Sequence, residues 1–274
     1  MASSLLVLTD FFQPANRALA YAATLAGGLG ARLVLLHVHR DSVLDPELLT
    51  GQLATLDTEA ETQAFANLVR DLTVPAIAEI GHGRLAEAVA AAVRRHHPML
   101  LMLGRPDTDD LPDELATTTA LELLRAAPCP MLVVPPTVRH APVPRRVLLA
   151  VDGEPFSLGP YAGTMRHLLA TLGAELTVLH AEAQPGPAPT TAAALASVQR
   201  TGLVADLVPP ICTLSLRAPH PAGAILKAAQ LAEYDLLILI ARPRSFWGEL
   251  FHHSVTAQVL LHSAVPVLVL PAQE

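Results

Sequence analysis

The stretch Leu101–Thr119, LMLGRPDTDDLPDELATTT, has the layout of a phosphate cradle: an apolar run, a glycine, a loop and a hydroxyl-bearing helix start. Glycine lets backbone N–H groups approach an anion closely, and hydroxyls beside a helix N-terminus receive phosphate oxygens. The charge of this loop opposes that chemistry. Asp107, Asp109, Asp110, Asp113 and Glu114 are accompanied by a single cation, Arg105. One like-charge contact at ~4 Å and an effective dielectric of ~20 costs about 4 kcal/mol, so several outweigh a few backbone hydrogen bonds. A bridging cation would reverse the sign, but Leu111 and Pro112 interrupt the ligand spacing of an EF-hand. Without a ligand, the same residues read as a solvated acidic loop, with Thr119 and Glu122 forming a capping box for the helix that follows.

A second stretch, IARPRSFWGELFHHS over residues 240–254, has the opposite charge. Arg242, Arg244 and His253 make its mouth cationic, and Ser254 stands where a helix begins. The arginines either meet an anion or pair with acids on a solvated rim. Trp247 and Phe246 read as packing residues rather than a base-stacking platform. Other candidate chemistry is weaker. GGLG at 27–30 follows a helix rather than a strand, so its last glycine reads as a C-terminal cap, as does the glycine of TLGA at 171–174. In PFSLG (155–159) proline occupies the first glycine of a nucleophile elbow, which argues against a serine hydrolase. Twelve histidines invite a metal reading, but no C-x2-C or H-E-x-x-H spacing occurs and neighbouring pairs such as His96-His97 and His252-His253 point to different helix faces. His37 and His180 recur at one strand position and read as packing residues. No metal site is expected.

The elements that must position these residues follow from the composition and an internal repeat. The chain has 274 residues, 51% of them hydrophobic, which suffices for a large core. A formal net charge of −7 argues against nucleic acid as a partner. No run of apolar residues approaches a membrane span, and the start, MASSLLVLTD, lacks the features of a signal peptide. Cys129 and Cys212 lie in apolar surroundings and read as buried reduced thiols, in keeping with a cytoplasmic protein. Four blocks recur in order: LLVLTD and VLLAVD, GARLVLLHV and GAELTVLHA, LLMLGRP and LILIARP, PMLVVP and PVLVLP. Between the copies, PTVRHAPVPR (136–145) reads as a linker, which places domains at 1–138 and 144–274.

In the first copy, strands are predicted near 4–9, 32–38, 73–79, 99–104 and 130–134, and helices near 14–27, 46–70, 84–96 and 117–126. The second copy repeats the order, with strands near 146–151, 175–181, 207–215, 235–241 and 266–270. Continuous apolar strands alternating with helices indicate an α/β chain of two doubly wound, five-stranded parallel sheets. Ligands of such sheets sit beyond the carboxyl ends of strands, where the strand order reverses. The loops to inspect therefore follow Thr9, Val38, Leu103, Val151, Ala181 and Ile240.

A strand closing in Asp, LHV on the second strand, GRLAEAVAAAV, LMLG and a terminal APCPMLVVP together resemble the universal stress protein (UspA-type) domain. The second copy carries VDGEPFS, VLHA, PAGAILKAA, YDLLILIA and SAVPVLVLP, so the whole chain resembles the tandem members of that family. The resemblance implies the adenine nucleotide alpha hydrolase-like fold, with the two domains paired through their last strands. Some members bind ATP through G-x2-G-x9-G-[ST] after the fourth strand. The positions here are Gly104, Asp107, Thr117 and Thr118 in the first copy. In the second they are Ala241, Arg244, His253 and Ser254, with one residue fewer between. By the same resemblance, Asp10 and Val38, and in the second copy Asp152 with Gly153 and Ala181, would hold the adenosine. Phe11 and Phe12 would crowd or fill the first pocket. The implied function is a stress-response or regulatory binding module with degenerate ATP motifs, no strong catalysis and no cofactor. The alternative is an ATP-binding switch or slow ATPase using the second copy, through Asp152, Arg242, Arg244 and Ser254. The sequence names no protein partner. A homodimer is compatible with it, whereas nucleic acid and membrane are not expected as partners.

Overall fold

The computed structural model describes residues 3–9, 13–39, 63, 65–106, 113–139, 143–182, 190–208, 210–242 and 254–273. In the first half these form β1 (Ser4–Leu8), α1 (Gln13–Leu29), β2 (Arg32–His39), a short helix α2 over residues 65–70, β3 (Ala76–His82), α3 (Leu85–His96), β4 (Leu100–Gly104), α4 (Asp113–Ala126) and β5 (Met131–Val134). The second half repeats the order: β6 (Arg146–Val151), α5 (Tyr161–Leu172), β7 (Glu175–Glu182), α6 (Thr191–Arg200), β8 (Cys212–Arg217), α7 (Pro221–Ala228), β9 (Leu236–Ala241), α8 (Val255–His262) and β10 (Val267–Pro271).

The strands form one sheet in the order β3-β2-β1-β4-β5-β10-β9-β6-β7-β8. Within each half the pairs are parallel, for example Leu5 opposite Leu33 and Val147 opposite Leu176. The halves join where β5 meets β10 antiparallel, with Val133 opposite Val267. The central strands are buried on both faces, as their unbroken apolar runs require. One face is covered by α1, α2, α5 and α6, through Ala22, Phe65, Met165 and Val198. The other is covered by α3, α4, α7 and α8, through Val89, Leu121, Ile225 and Leu260. The strand order reverses between β1 and β4 and again between β6 and β9, which puts a crevice beyond the carboxyl ends of each pair.

Several local expectations shift. The third strand of each half starts later than predicted, at Ala76 and at Cys212. Both are edge strands, half open to solvent, so no buried face fixes their limits from the apolar pattern alone. Cys212 is accordingly exposed rather than buried, whereas Cys129 is buried and burial pushes its thiol up to about 12. Helix α4 begins at Asp113, so Thr119 lies inside the helix and the Thr119–Glu122 capping box does not form. Gly30 and Gly173 do end α1 and α5 with left-handed backbone, at φ of 60° and 62°. Predicted helical residues 46–62 lie outside the described residues.

Candidate functional site

The residues at the second crevice are positioned by the ends of β6 and β9. Asp152 directly follows β6, Gly153 turns the chain at φ 81°, and Arg242 directly follows β9. Parallel pairing of β6 with β9 sets these two positions side by side. The Arg242 guanidinium closes on the Asp152 carboxylate in two-pronged fashion: Nε donates to Oδ2 at 2.7 Å and Nη2 to Oδ1 at 2.6 Å. It also donates to the carbonyls of Pro155 at 3.0 Å and Glu154 at 3.0 Å. The Glu154 amide donates to Asp152 Oδ1 at 3.0 Å, so the acid holds both the turn and the arginine. The Arg242 side chain is 14% exposed, against 48% for Asp152. Hydrogen bonding to Asp152 raises the Arg242 pKa and partial burial opposes it, with a net rise. The pair thus joins the chain ends beyond β6 and β9 at the crevice.

Around it, Ala181 is half-buried at the β7 end, in register with Leu216 of β8. Ser254 caps α8, its hydroxyl accepting from the Ala257 amide at 3.1 Å. Ala241 is fully buried and paired with Pro271. Asp152, Gly153 and Arg242 therefore come together, while Arg244 and His253 lie outside the described residues. Arg242 is thus bound to the protein's own acid, the Ser254 hydroxyl accepts from its own helix, and Ala241 is a buried strand residue.

The first crevice lies beyond the carboxyl ends of β1 and β4. Gly104 ends β4 and Val38 lies on β2, whereas Asp10 and Asp107 lie outside the described residues, and Thr117 and Thr118 fall within α4. Arg105, the counterpart of Arg242, extends across the molecule. Its Nη1 donates to the Leu260 carbonyl in α8 at 2.8 Å, and its own carbonyl accepts from Arg17 Nη2 at 3.1 Å. At one arginine position of the repeat, Arg242 bonds the acid after β6 of its own half, and Arg105 reaches α8 of the other half. Sequence gave no sign of this division, because LGRP and IARP place the two arginines identically.

The remaining candidates resolve into structure. His37 and His180 donate from Nδ1 to the carbonyls of Thr9 at 2.9 Å and Val151 at 3.3 Å, holding the second strand of each half to the end of the first. Ser157, in the supposed elbow, pairs with Gln273 and accepts from the Gly159 amide at 3.1 Å. Trp247 and Phe246 lie outside the described residues. No group of three potential metal ligands occurs among the described residues, and none of their helices is long and apolar enough to cross a membrane.

The universal stress protein family model matches residues 1–135 and again 144–271. Among solved structures, the chain is similar to a universal stress protein from Archaeoglobus fulgidus, with 15% identity, 98% of each chain covered and a TM-score of 0.74. It is also similar to a functionally unknown protein from Pseudomonas aeruginosa, with 18% identity, 99% of this chain and 93% of the other covered, and a TM-score of 0.61. At these identities the likeness is one of fold. No curated protein sequence matches the chain.

Proposed function

The chain belongs to the universal stress protein family, and from that premise we propose that it is a tandem regulatory binding module without strong catalysis. Its domains, 1–138 and 144–274, share one sheet, and the adenine-nucleotide pocket of the second is held shut by its own ion pair. The observation that carries this reading is the two-pronged Arg242–Asp152 contact at the β6/β9 crevice. In the family resemblance, the acid at this position would hold the adenosine. Here it carries a guanidinium whose other donors are satisfied by backbone carbonyls. A nucleotide would have to break the two bonds from Arg242 to reach the acid, and a hydrogen bond to a charged group is worth about 1.5–3 kcal/mol. The module then acts in the cytoplasm through protein contacts rather than through turnover of ATP.

Titration calorimetry with Mg·ATP tests this. The wild-type chain is expected to give no saturable heat up to millimolar nucleotide. Saturable heat that disappears in Arg242→Ala would instead establish the nucleotide switch or slow ATPase, with Arg242 swung from Asp152 onto phosphate.

A further inference from the structure

Two histidines meet at the outer edge of the sheet, in the half that lacks the Arg242–Asp152 pair. His39 ends β2 and His82 ends β3, and the parallel register sets them directly opposite one another. Alternation along β2 from Leu33 and Leu35 brings His39 to the face that α1 and α2 cover, and a paired position points the same way. The two imidazoles meet edge to face, with ring centroids 6.3 Å apart. The backbone beside them is closed as well. Beyond β3 the chain turns at Gly83, φ 88°, and the Gly83 amide donates to the His39 carbonyl at 3.2 Å. His82 is exposed and His39 half-buried, so the pair is open to solvent.

This donor set selects a class of cation. Imidazole nitrogen suits Zn²⁺, Cu²⁺ and Ni²⁺, whereas Mg²⁺ and Ca²⁺ take oxygen ligands. With metal–nitrogen bonds of about 2.0–2.1 Å and a tetrahedral angle at the metal, two ligating rings have centroids about 5 Å apart. The remaining distance of about 1 Å is within reach of side-chain torsions, with the strands left in place. The repeat shows that the fold does not require these histidines. At the matching positions of the second half the register sets Glu182 opposite Arg217, a favourable cross-strand combination of opposite charges. Two imidazoles do not complement each other in this way, and they repel when both are protonated. Far apart in sequence, His39 and His82 form no metal motif; the pairing of β2 with β3 joins them.

We propose that His39 and His82 chelate a divalent transition metal of the Zn²⁺ and Cu²⁺ class, one nitrogen of each ring on the metal and water in the other positions. No third potential ligand joins them among the described residues, so the metal stays exchangeable with solution. Bound there, it clamps the edge strand β3 to β2 at its carboxyl end, independently of any nucleotide in the second half.

Titration calorimetry of the untagged full chain with ZnCl₂, and with MgCl₂ for comparison, tests this. One saturable equivalent of Zn²⁺ is expected, with no saturable heat from Mg²⁺. His39→Ala and His82→Ala should each weaken Zn²⁺ at least about tenfold, because chelation falls to a single contact. Cys212→Ser, which removes an exposed thiol in the other half, should bind as wild type does. In proton spectra, the imidazole signals that move with Zn²⁺ should be those missing from the two histidine variants. No saturable Zn²⁺ binding at millimolar concentration would overturn the proposal. So would a smaller loss of affinity in either histidine variant, or loss of the site in Cys212→Ser. Should His39→Ala fail to fold, His82→Ala, at an exposed position, decides by itself.

Discussion

Asp235 shows how a partly buried carboxylate comes to hold the start of β6 beside β9. Burial pushes its pKa up, but hydrogen bonds from the Arg146 side chain and from the Arg146 and Arg145 amides bring it below the ordinary carboxylate range. A depressed folded-state pKa contributes stability that is fully present above the unfolded value, about 3.9, and is lost as pH falls through the folded one. Asp235→Asn is therefore expected to cost about 1 kcal/mol at pH 7, where the charge-assisted bonds are lost. The difference from wild type should shrink as acid melts are taken below about pH 4, where the wild-type carboxyl protonates too. Urea melts of both proteins across that range check it; a difference constant with pH would contradict the assignment.

Among the elements, α5 offers a paired test of how its sequence sets its limits. Gly163 lies in the exposed first turns, where an added Cβ meets nothing within 4 Å. Gly173 ends the same helix at φ 62° with equally open space. The two differ only in backbone conformation. Gly163→Ala should stabilise the chain by about 0.5–1 kcal/mol, because it removes unfolded-state freedom within a helix. Gly173→Ala should destabilise it by about 1 kcal/mol, because an L side chain resists the left-handed region. Opposite shifts of Tm would verify both; equal shifts would mean that α5 does not end at Gly173.

For the molecule as a whole, the join between halves rests on the antiparallel β5–β10 pair and on side chains that cross it. Arg105→Met keeps much of the stem and removes the bond to the Leu260 carbonyl. That carbonyl is near the C-terminus of α8, where a cation is favourable. A loss of about 1–2 kcal/mol is expected, within one cooperative unfolding transition because the sheet is continuous. Two separated transitions in the calorimeter would contradict the continuous sheet.

Much of this architecture was legible from the repeat: LLVLTD and VLLAVD foretold β1 and β6, and the glycines of GGLG and TLGA foretold the ends of α1 and α5. What escaped depended on partners distant in sequence. Cys212 looked buried because its neighbours are apolar, yet β8 is an edge strand, and sheet order does not follow from composition. Thr119 had a capping pattern, but α4 begins six residues earlier. Asp152 and Arg242 stood out separately, the acid as a holder of adenosine and the arginine as a ligand of an anion; that they bind each other follows from β6 lying beside β9.

The most direct test of the central claim is the side-chain ¹⁵N–¹H spectrum of arginine Nε groups, with the Arg242 signal assigned through Arg242→Lys. A guanidinium locked on Asp152 predicts a shifted, slowly exchanging Nε–H resonance that collapses in Asp152→Asn and does not move with millimolar Mg·ATP. A resonance at the position of a free arginine, or one that follows added nucleotide to saturation, would contradict a closed crevice.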